Sequence, residues 1–288
     1  MREKNWLPLV VLVMGATQGC SYLRQQLIST PAAEMTPEPE DLSSDFTVVA
    51  ESGGTELYHK DGNYVQVIDL SKGAAIQLRN GYVTDPGSGK GAYGGNDPVL
   101  TRQTLNEAWA EFSGANPQSF CLTNGQFFRN DQASATTTAL AFPVKVKGAI
   151  LTDGYAGDGE YPTEKMMLEL WADQATIKDF DPTSFYSSKA DEVIVGLKQD
   201  ADKQVDTITG RTFVGVKDRD GDGIRETVLI FTSAQATQPQ AAEALRYFGA
   251  GEVMMLDGGG STQLICQGKT YIPSERTIPQ TIGVISAP

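Results

Sequence analysis

Residues 253–264 read Val-Met-Met-Leu-Asp-Gly-Gly-Gly-Ser-Thr-Gln-Leu, and the rest of the chain is read outward from them. The four apolar residues Val253 to Leu256 have the length and composition of a buried strand. The run stops at Asp257, which is followed by Gly258, Gly259, Gly260, Ser261 and Thr262. Such a strand fixes the acid, and a loop without side chains lets backbone N–H groups approach a ligand oxygen. The plainer alternative is a tight turn whose glycines only supply positive φ, although three in a row exceed what a turn needs.

Moving toward the N-terminus, residues 238–249 carry Ala241, Ala242, Leu245, Tyr247 and Phe248 on one side of a helical pattern that Gly249 ends. Before it, Arg211–Val216 and Thr227–Thr232 frame a hairpin. Asp191–Leu197, Met166–Trp171, two segments within 136–151, Ala75–Leu78, Asn63–Leu70, Glu56–His59 and Phe46–Ala50 read as further strands. Residues 119–128 form a buried strand that ends in Asn124-Gly125. A helix is expected over 101–112, with Leu105, Ala108, Trp109 and Phe112 at helical spacing. Loops are expected at 84–98, 153–161 and 271–276, and a last strand at 282–285. Many strands and two strong helices, without regular β–α alternation, predict an α+β fold. The expected form is a single domain with a large mixed, mostly antiparallel sheet and a few packed helices.

The chain has 288 residues, of which 40% are hydrophobic, so a sizeable core is available. Its formal charge of −13 repels phosphate backbones, so no nucleic-acid partner is expected. Any phosphate it binds must be held by locally placed cations. Residues 1–20 look like an export segment: Arg2 and Lys4, an apolar run from Trp6 to Ala16, then Gly19-Cys20. Cys20 is a lipidation candidate, and membrane contact is expected only through that anchor. Residues 21–45 read as a disordered tether rich in Ser, Thr, Pro and Glu, leaving 46–288 as the folded domain. In an exported chain, Cys121 and Cys266 are either a disulfide or two separate buried thiols.

Three kinds of chemistry are weak here. Asp218, Asp220 and Asp222 have calcium-loop spacing, but Leu229 stands where a bidentate glutamate belongs, and strands rather than helices flank the loop. A polar hairpin turn is the better reading of that stretch. His59 is the lone histidine, and Ser261 lacks the Gly-x-Ser-x-Gly setting of a hydrolase nucleophile. No phosphate-binding nucleotide loop is present. What remains is Asn124, Arg211, Asp257 and Arg276, each at or near the end of an apolar segment. Singly, each reads as a strand end in water. Together they suit an anionic, polyhydroxylated ligand.

Four motifs then carry a resemblance. Asn124-Gly125-Gln126-Phe127-Phe128, Arg211-Thr212-Phe213-Val214-Gly215, Leu256–Ser261 and Arg276–Pro279 with Ile282-Gly283-Val284 are similar, in order, to the signature of the phosphodiester glycosidase family. The resemblance spans roughly residues 60–288. It implies hydrolysis of a glycosyl-1-phosphodiester at the anomeric bond, with a sugar-phosphate or anionic glycan as substrate. It also implies Arg211 and Arg276 on the phosphate, Asp257 as acid/base or oxocarbenium-stabilising carboxylate, and Asn124 on sugar hydroxyls. Gly125, Thr212, Gly258, Gly259, Gly260, Ser261 and Thr262 would line the cleft, Ser261 as an anion ligand. Glu169 and Glu243 are candidates for a second carboxylate. Gln126 stands where the family commonly has glycine, which points to a side chain entering the cleft. No cofactor is expected, calcium remaining tied to the Asp218 loop. The alternative is a non-catalytic cell-envelope protein that binds anionic polysaccharide in the same cleft.

Overall fold

Strands without clean alternation dominate the middle of the chain. Glu192–Leu197 is buried at every position, and Thr209–Lys217 at all but its two ends. Sequences of this kind belong to sheets covered on both faces. The computed structural model describes residues 45–87, 89–130 and 135–288, all within one compact unit. The export segment 1–20, with Cys20, and the tether up to residue 44 lie outside the described residues.

The largest sheet has 11 strands. Its main path runs Thr47–Ser52, Thr55–Lys60, Asn63–Asp69, Thr227–Ala236, Thr209–Lys217, Glu252–Met255, Glu192–Leu197, Lys165–Leu170 and Ala175–Asp179. Val144–Val146 and Ala149–Thr152 attach beside Glu192–Leu197. A second sheet of five strands runs Lys269–Ile272, Leu264–Cys266, Ser119–Asn124, Gln280–Ile285 and Ala75–Asn80. A three-stranded sheet joins Val83–Asp85, Val99–Thr101 and Thr137–Thr138. Every pairing among the described residues is antiparallel, so the expected mixed sheet is corrected to separate antiparallel sheets. Hairpins and long returns connect them, and no helix among the described residues serves as a crossover between neighbouring parallel strands.

Three helices complete the described fold: α1 (Leu105–Ala115), α2 (Pro182–Ser187) and α3 (Gln238–Tyr247). The core forms in layers. Val214, Val228, Ile230 and Met254 of the large sheet pack on Leu78, Phe120, Leu264 and Ile282 of the second. The alternate residues Phe213, Leu229, Phe231 and Val253 turn the other way, onto Ala241 and Leu245 of α3. Leu105, Ala108 and Phe112 of α1 cover Leu122 and Ile265 on the far face of the second sheet. The order is thus α3, large sheet, second sheet, α1, with the thickest apolar layer between the sheets.

Helix α1 begins at Leu105 rather than at Thr101. Thr101 belongs to a strand, and Thr104 caps the helix by accepting from the Glu107 N–H, with Glu107 accepting in return from the Thr104 N–H. The hairpin Leu264–Cys266/Lys269–Ile272 occupies part of what reads as a loop. Its Gln267-Gly268 turn has φ of 49° and 78° at the two central residues, the geometry that suits a two-residue hairpin. Cys121 and Cys266 face each other across adjacent strands and are joined as a disulfide, which closes a separation of 145 residues.

Candidate active site

The site lies where the two sheets meet. The Leu256 N–H still pairs with the Thr212 carbonyl of the large sheet at 2.9 Å, and the next N–H, that of Asp257, turns to the Gly125 carbonyl at 3.1 Å. Asp257 therefore stands at the crossing from one sheet to the other. Asn124, fully buried, bolts that crossing: its Nδ2 donates to the Asp257 carbonyl at 2.6 Å, and its Oδ1 accepts from Thr212 Oγ1 at 2.8 Å. With both ends of its amide committed, Asn124 holds the loop in place. It offers little to the sugar hydroxyls expected of it.

Each glycine of the loop has its own reason. A Cβ on Gly258 would stand 2.6 Å from the Gly210 carbonyl oxygen, and one on Gly260 would stand 2.9 Å from the guanidinium carbon of Arg276. Only Gly259 needs positive φ, at 60°. Close approach to backbone therefore requires glycine at 258, while at 260 the neighbour is the movable end of the Arg276 side chain.

Burial pushes the Asp257 carboxyl up to about 6, against a hydrogen bond from Ser261, the Gly258 N–H, and the charges of Arg276 and Lys203, which favour its ionised form. Arg276 Nη1 donates to Ser261 Oγ at 3.4 Å, while Ser261 hydrogen-bonds to Asp257. Ser261 is thus a buried link between the Arg276 guanidinium and the Asp257 carboxyl. The groups acting on Asp257 are hydrogen-bond donors and cations, and no second carboxylate is among them. Glu169 is buried and committed to Lys178, Ser188 and Thr176, and Glu243 lies exposed on α3.

Arg211 departs from its expected place on the phosphate. Its guanidinium is buried, and its donors go to the carbonyls of Ala236, Lys203, Gln204 and Thr207 and to Gln238 Oε1. Five N–H groups meet five acceptors, so none is left for a ligand. Arg211 is a staple for residues 203–207. What that staple presents is Lys203, a cation that sequence reasoning missed. Its carbonyl accepts from Arg211 at 3.0 Å, its Nζ lies 5.2 Å from the ring centroids of both Phe127 and Tyr161, and its charge acts on Asp257.

The other expected residues fall inside. Gly125 lends its backbone to Asp257 and Gln280, Thr212 is committed to Asn124, and Thr262 is buried against Gly210. The Gln126 side chain does not enter the cleft: it is buried, with Nε2 donating to the Val195 carbonyl at 2.5 Å. The members of this group that keep some exposure are Asp257, Gly258, Gly259, Gly260, Arg276 and Lys203.

Asp218, Asp220 and Asp222 do gather, their carboxylate oxygens lying within 4.8 Å of one another at the tip of the 209–236 hairpin. Those oxygens accept from the turn's own N–H groups: Gly221 and Gly223 on Asp218, Asp222 on Asp220, Ile224 on Asp222. Leu229, at the position a calcium loop gives to glutamate, is a buried strand residue. The stretch is a self-capped turn.

The pattern of the family described as phosphodiester glycosidase matches residues 72–285. No curated protein matches the chain. Among solved structures, the catalytic domain of zebrafish N-acetylglucosamine-1-phosphodiester alpha-N-acetylglucosaminidase, described as auto-inhibited by its pro-peptide, is similar with a TM-score of 0.50 and 14% identity, over 84% of this chain and 81% of that one. A protein from Burkholderia pseudomallei K96243, described as exported, aligns with a TM-score of 0.45 and 13% identity, over 80% of this chain and 74% of that one.

Proposed function

The chain belongs to the phosphodiester glycosidase family, and we propose that it hydrolyses a glycosyl-1-phosphodiester at the anomeric bond of an envelope or extracellular glycan. The observation that carries this reading is Asp257, a desolvated carboxylate with two cations, Arg276 and Lys203, acting on it. In the reaction the anomeric C–O bond breaks and its electron pair leaves with the phosphate. Water then supplies a hydroxyl to the anomeric carbon and a proton to solvent. A phosphate monoester departs without protonation if its charge is held, which is the task assigned to Arg276, Lys203 and the Gly258–Gly260 backbone. Asp257, ionised, faces the positive charge that develops on the sugar ring. Its low-dielectric setting strengthens that interaction, at the expense of its own hydration.

In this reading Arg211 and Asn124 are positioning residues, the first for Lys203 and the second for Asp257. No cofactor enters the chemistry. The basic-apolar start of the chain and Cys20 support an exported, lipid-anchored protein with a tether long enough to reach a surface glycan. The test is turnover of an N-acetylglucosamine-1-phosphodiester by the purified protein, with Asp257→Asn alongside. Release of sugar by the wild type and loss in the variant supports the proposal, and equal turnover removes Asp257 from the mechanism. Binding with the diester recovered intact after prolonged incubation would mark a glycan-binding protein instead.

A further inference from the structure

A cleft of about 460 Å³ lies at the opposite end of the strand that carries Asn124, beside Ser119 and Phe120. Five residue steps of strand separate Ser119 from Asn124, roughly 17 Å at about 3.4 Å per step. The volume falls within the roughly 300–1,000 Å³ of small-molecule clefts. One wall is Trp109 of α1, and the rim carries Ser52, Asn116, Gln118 and Gln267. No lining residue is charged, in a chain where 20% of residues are and the net charge is −13.

The hydrogen-bonding capacity left in this cleft is mixed and neutral. The Trp109 indole N–H and the Gln118 amide make no hydrogen bond with the described residues. Asn116 donates Nδ2 to the Phe112 carbonyl and leaves its Oδ1, while Gln267 donates Nε2 to the Glu51 carbonyl and leaves its Oε1. The Gln267-Gly268 turn lies beside the indole edge, where a Cβ on Gly268 would stand 3.9 Å from the indole nitrogen. Donors and acceptors are thus spread around an aromatic wall.

We infer that this cleft binds a neutral sugar unit of a glycan chain, at a site separate from the Asp257 cleft. A pyranose presents hydroxyls that both donate and accept, which side-chain amides match in either direction. Its C–H face packs on an indole, whose N–H takes a ring or hydroxyl oxygen. A phosphorylated or carboxylated ligand finds no cation here and is disfavoured by the acidic chain around it. The inference rests on the lining chemistry and asks nothing of Asp257.

The test is calorimetric titration of the full chain with neutral maltohexaose, cellohexaose and chitohexaose, and with anionic polygalacturonate oligomers as contrast. At least one neutral hexasaccharide is expected to bind, more tightly than the anionic oligomers. Gln118→Ala and Trp109→Phe, which keeps a ring but deletes the N–H, are each expected to weaken binding by up to about tenfold. Asp257→Asn is expected to bind that hexasaccharide with unchanged affinity, so failure of the hydrolytic proposal and failure of this one are separable. Absence of saturable binding to all three neutral probes overturns the inference. So does binding that survives both cleft substitutions or that Asp257→Asn abolishes.

Discussion

The Asn124 side chain donates to the main-chain carbonyl of Asp257 at 2.6 Å, a bond that joins the second sheet to the large one at the point where the acid is presented. It acts on the backbone and leaves the carboxylate free. Asn124→Ala strands the Thr212 hydroxyl and the Asp257 carbonyl in a buried setting. A stability loss of about 2–4 kcal/mol is expected. A fall in kcat larger than any change in KM is expected with it, because the acid moves while Arg276 and Lys203 keep their places on the substrate. Denaturant unfolding and steady-state kinetics on the same preparation check both.

The Asp257 carboxyl, pushed up to about 6 from its ordinary 3.8, sets two opposite pH dependences. The folded state holds the proton more tightly than the unfolded state, so stability falls as pH rises through the interval between these values and stays lower above it. Asp257→Asn removes that cost. The variant is expected to be more stable than wild type at pH 8, by up to about 3 kcal/mol, and the gain is expected to vanish near pH 4. Activity runs the other way. If the ionised carboxylate is the working form, kcat/KM of the wild type falls on the acid side with an apparent value near 6. Melting curves of both proteins and the pH–rate profile of the wild type give the two halves.

Lys203 and Arg211 are expected to separate by readout. Lys203→Gln removes a charge from the cleft without disturbing the core, so KM for a phosphodiester is expected to rise about 10- to 100-fold with Tm little changed. Arg211→Lys cannot satisfy the five acceptors that Arg211 serves. It is expected to cost about 3–5 kcal/mol and to raise KM as well, since Lys203 loses its anchorage. A Lys203 variant with lowered Tm and unaltered KM would contradict the assignment.

The Cys121–Cys266 bond closes 145 residues that include most of the large sheet. In the chain-entropy account such a closure is worth roughly 5 kcal/mol. Reductant is expected to lower the denaturant midpoint accordingly, and Cys121→Ala/Cys266→Ala to reproduce the reduced protein. Activity at low temperature is expected to persist in both, because the disulfide lies in the sheet and not in the Gly258–Gly260 loop.

Much of the fold is legible in the sequence because its strands are dense apolar runs bounded by strong turn residues. The Arg211 hairpin, the strand ending at Asn124 and the run into Asp257 all show this. Separation into two sheets is not legible, since strands buried on both faces show no alternation that would assign them to a layer. Short or exposed strands such as Lys269–Ile272 escape notice for want of apolar residues. In the site, motifs mark positions but not the direction of their side chains. The motifs point to Arg211 and Asn124 as groups on the ligand, yet both turn inward and are spent on backbone carbonyls. Lys203 belongs to no pattern. Its place follows from a carbonyl held by an arginine nearby in sequence, and only a folded chain shows that.

The strand Gln280–Ile285 lies between Ser119–Asn124 and Ala75–Asn80, pairing with both. Two segments made early in synthesis therefore cannot be joined in their sheet until residue 285 has left the ribosome. The sheet interface cannot close before then, and the thick apolar layer it seals stays open to chaperones while the intervening residues are made. Closure of this sheet is thus set by the arrival of one strand, Gln280–Ile285.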